Sequence, residues 1–249
     1  MKHIVGFSGG IASAVVASIV FKRHPKDTVF LYHSTKTEPA DNDRFRKEVS
    51  EYIGLPVTED SDGRDIWEIF EDAGYLGNGR NTMCSRILKQ ERSLAYCMDN
   101  LPCTLYIGFT PDEGDRAQRT AARYAHKSKK KIEVQFPLIE EKISKEECFF
   151  KVTNCWNIRE PQMYDWASHA NCVPCIKGKL TYWGLIYMFE REAWEKASSY
   201  EEKLEHTIFT ENGSLKEELE HCLRLARKYL EKKEGRPGEL FGFPCECMI

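Results

Sequence analysis

The chain has 249 residues, 41% of them hydrophobic and 30% charged, with a net charge of −3. That suits one large soluble domain, or one domain with a smaller unit appended, and gives no global attraction to nucleic acid or an anionic membrane. No apolar run approaches the roughly 20 residues that span a bilayer. The opening Met1-Lys2-His3-Ile4-Val5-Gly6 lacks a leader's long apolar stretch and small-residue cleavage site, so the expected location is the cytoplasm, with no membrane partner.

Hydrophobic periodicity and breakers predict the elements in chain order. His3–Phe7 reads as a buried strand, followed by a glycine turn and a helix over Ala12–Lys22 that Pro25 ends. Thr28–His33 is a second strand, and Asp41–Ile53 a helix with Phe45, Val49, Tyr52 and Ile53 on one face, stopped by Gly54. A short strand at Pro56–Thr58, helices at Asp65–Phe70 and Ser85–Met98, and a strand at Thr104–Gly108 follow. The alternation argues for an α/β fold: an open, mainly parallel sheet with helices on both faces. Beyond Pro137 the pattern becomes helical. Ser144 and Glu147 form a capping box opening a helix at Lys145, and Leu180–Lys196 and Leu215–Lys232 read as longer helices. The tail 235–249, broken by Gly235, Pro237, Gly238 and Gly242, reads as irregular. The expected division is a nucleotide-binding α/β domain over 1–140 and a helical C-terminal extension over 141–249. Two basic stretches, Lys127–Lys131 and Arg224–Lys233, read first as solvated faces.

The turn Ser8-Gly9-Gly10, with Ser13 inside the starting helix, is arranged to hold an anion. Glycines allow close backbone approach, the helix start offers unpaired N–H groups and a positive dipole end, and the serines add hydroxyls. The turn lacks the Gly-Lys-Ser/Thr ending of a Walker A loop and the Gly-x-Gly-x-x-Gly of dinucleotide folds. An ordinary tight turn is the competing reading.

The turn resembles the PP-loop, Ser-Gly-Gly-x-x-Ser, of the adenine nucleotide α-hydrolase superfamily, whose sheet is of the HUP-like kind. Asn81–Lys89, with Cys84, resembles the Cys-Cys-x-x-x-Lys block of phosphoadenosine phosphosulfate (PAPS) reductase relatives. Tyr106–Arg116 is similar to their strand–Gly–Glu–Arg segment, and Gln135–Ile139 to their Pro-Leu strand end. The resemblance runs in order along nearly the whole chain and is nearest to the PAPS reductase-like branch. It implies that an adenine nucleotide, ATP or PAPS/APS, binds at Ser8, Gly9, Gly10, Ser13, His33 and Gly108. Ile11 and Ala12 stand where such loops often carry charge, so cations elsewhere must help. Arg86, Lys89 and Arg116, with Arg80 and Arg119, are the candidates, since Arg grips phosphate through paired hydrogen bonds.

Ten cysteines in a reducing compartment point to metal, redox chemistry or inert burial rather than disulfides. Cys172 and Cys175 have ligand spacing, and Cys245 and Cys247 form a second tight pair. The resemblance implies that Cys84, Cys172 and Cys175 fill three of four positions that hold a four-iron cluster in relatives. Ser85 replaces the fourth, a poor soft ligand, and Cys245 is the substitute if the tail folds back. A 4Fe-4S cluster, a zinc site and no metal all stay open. Cys97, Cys103, Cys148, Cys155 and Cys222 read as buried small hydrophobes. PAPS reductases carry a tail nucleophile in Glu-Cys-Gly-x-His; here only Glu246-Cys247 matches, which makes Cys247 the candidate catalytic thiol. The resemblance implies sulfur chemistry: reduction of an adenylyl sulfate-type nucleotide with a thiol reductant protein as partner. The alternatives are an adenylating ATP pyrophosphatase that inserts sulfur into a nucleic acid, and a non-catalytic nucleotide-binding protein. Fold alone does not choose among them, and the oligomeric state is not legible.

Overall fold

The computed structural model describes residues 1–79, 81–170, 172–209 and 213–234. Five strands, β1 (Lys2–Gly6), β2 (Thr28–Ser34), β3 (Val57–Ser61), β4 (Cys103–Tyr106) and β5 (Glu133–Gln135), form one sheet in the order β3-β2-β1-β4-β5. Every pairing is parallel. The chain winds outward from β1 to β3, then returns to the other side of β1 for β4 and β5. The direction of winding therefore reverses between β1 and β4, and loops leaving the carboxyl ends of those strands diverge there.

Side chains alternate between the two faces. Val5, Phe30 and Tyr106 join one core with helices α1 (Ile11–Arg23) and α2 (Asp41–Ile53). After α3 (Ile66–Ala73) and the short α4 (Met83–Ser85), α5 (Arg92–Asp99) and α6 (Gly114–Lys127) cover the opposite face, where Ile4, Leu31 and Leu105 meet Cys97, Ala117 and Tyr124. Helices on both faces explain why the central strands are buried along most of their length. Past α7 (Pro137–Glu140), α8 (Lys145–Phe150) opens with the capping box expected of Ser144 and Glu147. It continues as a π-helical stretch, Lys151–Cys155, that lays Cys148, Val152 and Trp156 against α1. Cys155 is exposed, not buried: it ends that stretch while Val152 and Trp156 take the inward positions.

A third core lies outside the sheet. It joins α3 and Leu88 to Met163, Trp166 and the helices α9 (Leu180–Phe189), α10 (Arg191–Lys203) and α11 (Leu219–Glu234). The single helix expected over Leu180–Lys196 is two, broken at Glu190 (φ −137°, ψ 56°). The break lets Trp183 and Ile186 of α9 and Trp194 and Ala197 of α10 enter the same core, with the Tyr187 and Trp194 rings edge to face at 5.0 Å. No Gly or Pro marks it, because burial drives it. Among the described residues no helix is long and apolar enough to cross a membrane.

Helices α9 and α11 touch backbone to backbone at Gly184. A β-carbon there would lie 2.8 Å from Ala226 Cβ and closer still to the Cys222 carbonyl. Gly184→Ala forces the helices apart, and overpacking of this kind costs about 1–3 kcal/mol. Urea denaturation should show that loss as a lower midpoint at unchanged slope.

Candidate functional site

At the carboxyl end of β1 the chain turns at Ser8-Gly9-Gly10 and enters α1 at once. Gly9 has φ +81°, a conformation that disfavours any side chain. Gly10 caps α1 in an extended conformation and, having no side chain, offers no cap of its own to the first N–H groups of α1. Ser13 Oγ donates to the Gly10 carbonyl at 2.8 Å and lies 3.2 Å from Ser8 Oγ. No acidic residue occupies the first turn to compete with an anion. Gly108, just past β4, presses against the same turn: a β-carbon would stand 2.9 Å from Ser13 N and 3.0 Å from the Ala12 carbonyl carbon. The reversal point of the sheet thus holds a helix start clamped by two loops, the arrangement that suits phosphate.

The carboxyl end of β2 brings polar groups to the same edge. Parallel register places His33 beside Asp60 of β3. His33 Nδ1 lies 3.0 Å from Asp60 Oδ2, and Arg92 grips both Asp60 oxygens, with Nε at 2.9 Å from Oδ2. Burial opposes ionisation of Asp60, but Arg92 and His33 outweigh it and hold its pKa below the usual range. Burial lowers the His33 pKa, the Lys89 charge adds to that, and Asp60 opposes it. With Asp60 accepting at Nδ1, Nε2 of His33 is buried and without a hydrogen-bond partner.

Beside this group lies a small pocket, partly open to solvent and lined by Thr35, Cys84, Ser85, Lys89, Cys172 and Cys175 among others. The three described thiols expected as ligands therefore share one pocket, although they come from two distant segments. Lys89 Nζ is 3.5 Å from Cys172 Sγ and Thr35 Oγ1 is 3.2 Å from it. Burial, reinforced by Cys172, pushes the Cys84 thiol up to about 11. The hydroxyl of Ser85 is buried there without a partner. Cys84 and Lys89 are five residues apart, which is about 140° around an α-helix. The π-helical stretch Arg86–Glu91 widens the turn and brings both into the pocket lining. Among the described residues no three His, Cys, Asp or Glu side chains stand close enough together to hold a metal ion.

The Cys172–Cys175 turn is braced by Tyr182 of α9, whose hydroxyl donates to the Cys172 carbonyl at 2.8 Å and accepts from Cys175 N at 2.9 Å. Val173 N donates to the Thr37 carbonyl at 2.7 Å, which ties the turn to the segment after β2. Sequence reasoning missed Tyr182, Asp60 and Arg92. Only the β2–β3 register, one step beyond the predicted strands, could have pointed to Asp60.

The expected cations fall in different places. Lys89 reaches the thiol pocket. Arg86 pairs with Glu91 at the surface (2.9 Å), while Arg116 pairs with Glu113 (2.6 Å) and lies over the Phe109 ring. Arg119 is exposed on α6. Arg80, Cys245 and Cys247 lie outside the described residues. Of the basic stretches, Lys127–Lys131 follows the end of α6, a helix that runs back to the amino ends of the strands, away from the loop. Arg224–Lys233 lies on α11. There Lys233 donates to the Tyr164 and Ala167 carbonyls, and Tyr164 presents its hydroxyl 3.9 Å from where a Gly10 β-carbon would be.

The sequence matches no family model and no curated protein. Among solved structures the chain is similar to the U34-tRNA thiolase NcsA from Methanococcus maripaludis, described with its [4Fe-4S] cluster. The match has a TM-score of 0.50 and 16% identity and covers 100% of this chain and 80% of that one. At that identity the likeness concerns the fold.

His33 makes stability depend on pH. Its folded pKa lies below the unfolded value of about 6.5. As pH falls through 6.5 the unfolded chain takes up a proton that the folded chain refuses, so stability declines down to the folded pKa. His3 is lowered as well, again chiefly by burial. Melting temperature should therefore drop between pH 7.5 and 5, and drop less in His33→Gln; equal drops would exclude His33 as a source.

Proposed function

We propose that this chain is an adenylating enzyme of the ATP pyrophosphatase kind that inserts sulfur into a nucleic acid. One observation carries the reading: a helix start behind a glycine loop shares a sheet edge with a pocket lined by Cys84, Cys172 and Cys175. The loop suits the triphosphate of ATP, and the thiols suit sulfur. The likeness in fold to a tRNA thiolase supports this reading over reduction of an adenylyl sulfate, and makes tRNA the acceptor class of choice. The reduction reading depends on Cys247.

In the proposed reaction an acceptor carbonyl oxygen attacks the α-phosphorus of ATP and pyrophosphate leaves. Hydrosulfide, a co-reactant at the sulfide level, then attacks the activated carbon; the C–S bond forms, the C–O bond breaks, and AMP leaves with the oxygen while the sulfur loses its proton, with no change of oxidation state. Ser8, Gly9, Gly10 and Ser13 hold the phosphates, and the α1 N–H groups face the charge that grows on them. His33, fixed by Asp60, presents a neutral ring nitrogen at the edge where the nucleoside lies.

The chemistry of the pocket lining suits a soft cofactor, because three thiols line it; they share the pocket without being gathered at ligand distance, so binding would have to draw them together. Cys84, Cys172 and Cys175, with Cys245 from the tail, would hold a [4Fe-4S] cluster, which when bound supplies a soft site for the sulfur being transferred. Zinc is the competing occupant of the same thiols. In this division residues 1–140 bind the nucleotide, and 141–249 bring the Cys172–Cys175 turn and a basic helix. Arg224, Arg227 and Lys228 on the exposed side of α11 suit the acceptor backbone better than Lys127–Lys131, because α11 is tied to Tyr164 beside the loop.

Protein purified without oxygen should be brown and lose its colour in Cys172→Ala or Cys175→Ala; colourless protein with one tight zinc would favour the zinc reading. With tRNA the protein should convert ATP to AMP and pyrophosphate. Sulfite release from PAPS, abolished by Cys247→Ser, would instead establish the reductase.

The acceptor surface has its own test. Reversing Arg224 and Arg227 to Glu should weaken tRNA binding and flatten its dependence on salt, by about one unit of log–log slope per lost phosphate contact. Reversing Lys129 and Lys130 should leave both unchanged in the same filter-binding assay.

A further inference from the structure

The loop after β1 carries no charged side chain, yet a cation lies buried against it. Arg46, on the second turn of α2, is 7% exposed. Its guanidinium carbon lies over the Tyr32 ring, 3.7 Å from the ring centroid. Nη2 pairs with Asp43, a side chain 75% exposed. Nη1 is buried and has no hydrogen-bond partner. This nitrogen stands 3.2 Å from where a β-carbon on Gly9 would be, and the Arg46 Cγ stands 3.3 Å from it. The absence of a side chain at Gly9 is therefore what admits the guanidinium to the loop.

A buried cationic N–H without an acceptor is costly. The ion pair with exposed Asp43 is screened by water and offsets little of that cost. Asn42, one turn earlier on the same helix face, is 1% exposed and also has an unpartnered side-chain oxygen. Two unpaired polar atoms thus lie four residues apart on α2, and one of them touches the loop. An oxyanion at the α1 start would supply the acceptor that Nη1 lacks. In return it would gain a full positive charge in a place sheltered from water, where charge-assisted hydrogen bonds are strong.

We propose that Arg46 is the cation of the phosphate site: it reaches past Gly9 to bind an oxygen of the polyphosphate held at the start of α1, in place of the charge that Ile11 and Ala12 do not provide. The Tyr32 ring holds the guanidinium in place and Asp43 fixes its far nitrogen, so Nη1 stays available to the ligand. The inference rests on the reading of the loop as a nucleotide site and adds to it a residue from a different helix.

Calorimetry on the full-length protein with ATP, pyrophosphate and adenosine as probes tests it. Arg46→Gln should weaken ATP and pyrophosphate by about tenfold or more and leave adenosine unchanged. Arg46→Lys keeps the charge but not the planar fork, and should bind both phosphates with intermediate affinity. Gly9→Val separates the two ideas. If it abolishes ATP binding while Arg46→Gln binds ATP and pyrophosphate as wild type does, the loop reading stands and the role of Arg46 is overturned. If wild type binds neither phosphate probe, both fall. Should Arg46→Gln not fold, as judged by circular dichroism, Arg46→Lys decides: wild-type affinity for both phosphates overturns the proposal.

Discussion

The whole site depends on how closely the start of α1 can approach the ends of the central strands. The chain leaves β1, turns through a residue with positive φ and becomes helical within four positions. Gly108 lets the segment after β4 lie against the backbone of Ala12 and Ser13, and Gly9 lets Arg46 lie against the loop. A side chain at Gly108 would push the start of α1 away from the reversal point of the sheet, and one at Gly9 would push Arg46 off the loop. The parallel sheet fixes the strand ends, and the glycines set the distance between them and the helix.

The second half of the site is assembled by a different force. Cys84 and Cys172 are far apart in the chain and share a pocket because both segments border the third core. Helices α3, α9, α10 and α11 bury Trp67, Trp183 and Trp194 together, each such side chain contributing on the order of 2 kcal/mol or more of transfer free energy. That packing holds Tyr182 where its hydroxyl can brace the Cys172–Cys175 turn, and the hydrogen bond from Val173 to Thr37 joins the turn to the β2 edge. The thiol pocket and the glycine loop are thus joined through the segment between β2 and α2. It contributes Thr35 to the thiol pocket, and Arg46 on α2 lies against the loop.

The cations illustrate how position redefines residue type. Arg116 pairs with Glu113, and Arg86 with Glu91, before either meets a ligand. Lys89 is turned by a π-helical stretch toward Cys172. Arg46, which no motif marks, has the buried and partly unsatisfied guanidinium beside the loop. Arginines near a motif in sequence are plentiful; a burial environment that leaves one of them short of an acceptor is a property of packing alone.

What the sequence determined by itself was whatever local rules govern. The strand–turn–helix with Ser8-Gly9-Gly10, the capping box at Ser144, and the alternation that makes a parallel sheet with helices on both faces all follow from glycine freedom, capping and the burial of apolar runs. Spacing also singled out Cys172 and Cys175. Only the tertiary structure decided what depends on contacts between distant segments. It set the register that puts Asp60 beside His33, the break at Glu190 that no Gly or Pro signals, and the exposure of Cys155. It also brought Cys84 to the same pocket as Cys172 and closed Arg46 against Gly9. These depend on which apolar faces meet and how closely, and the free energy of that choice is spread over whole cores rather than written in any short run of residues.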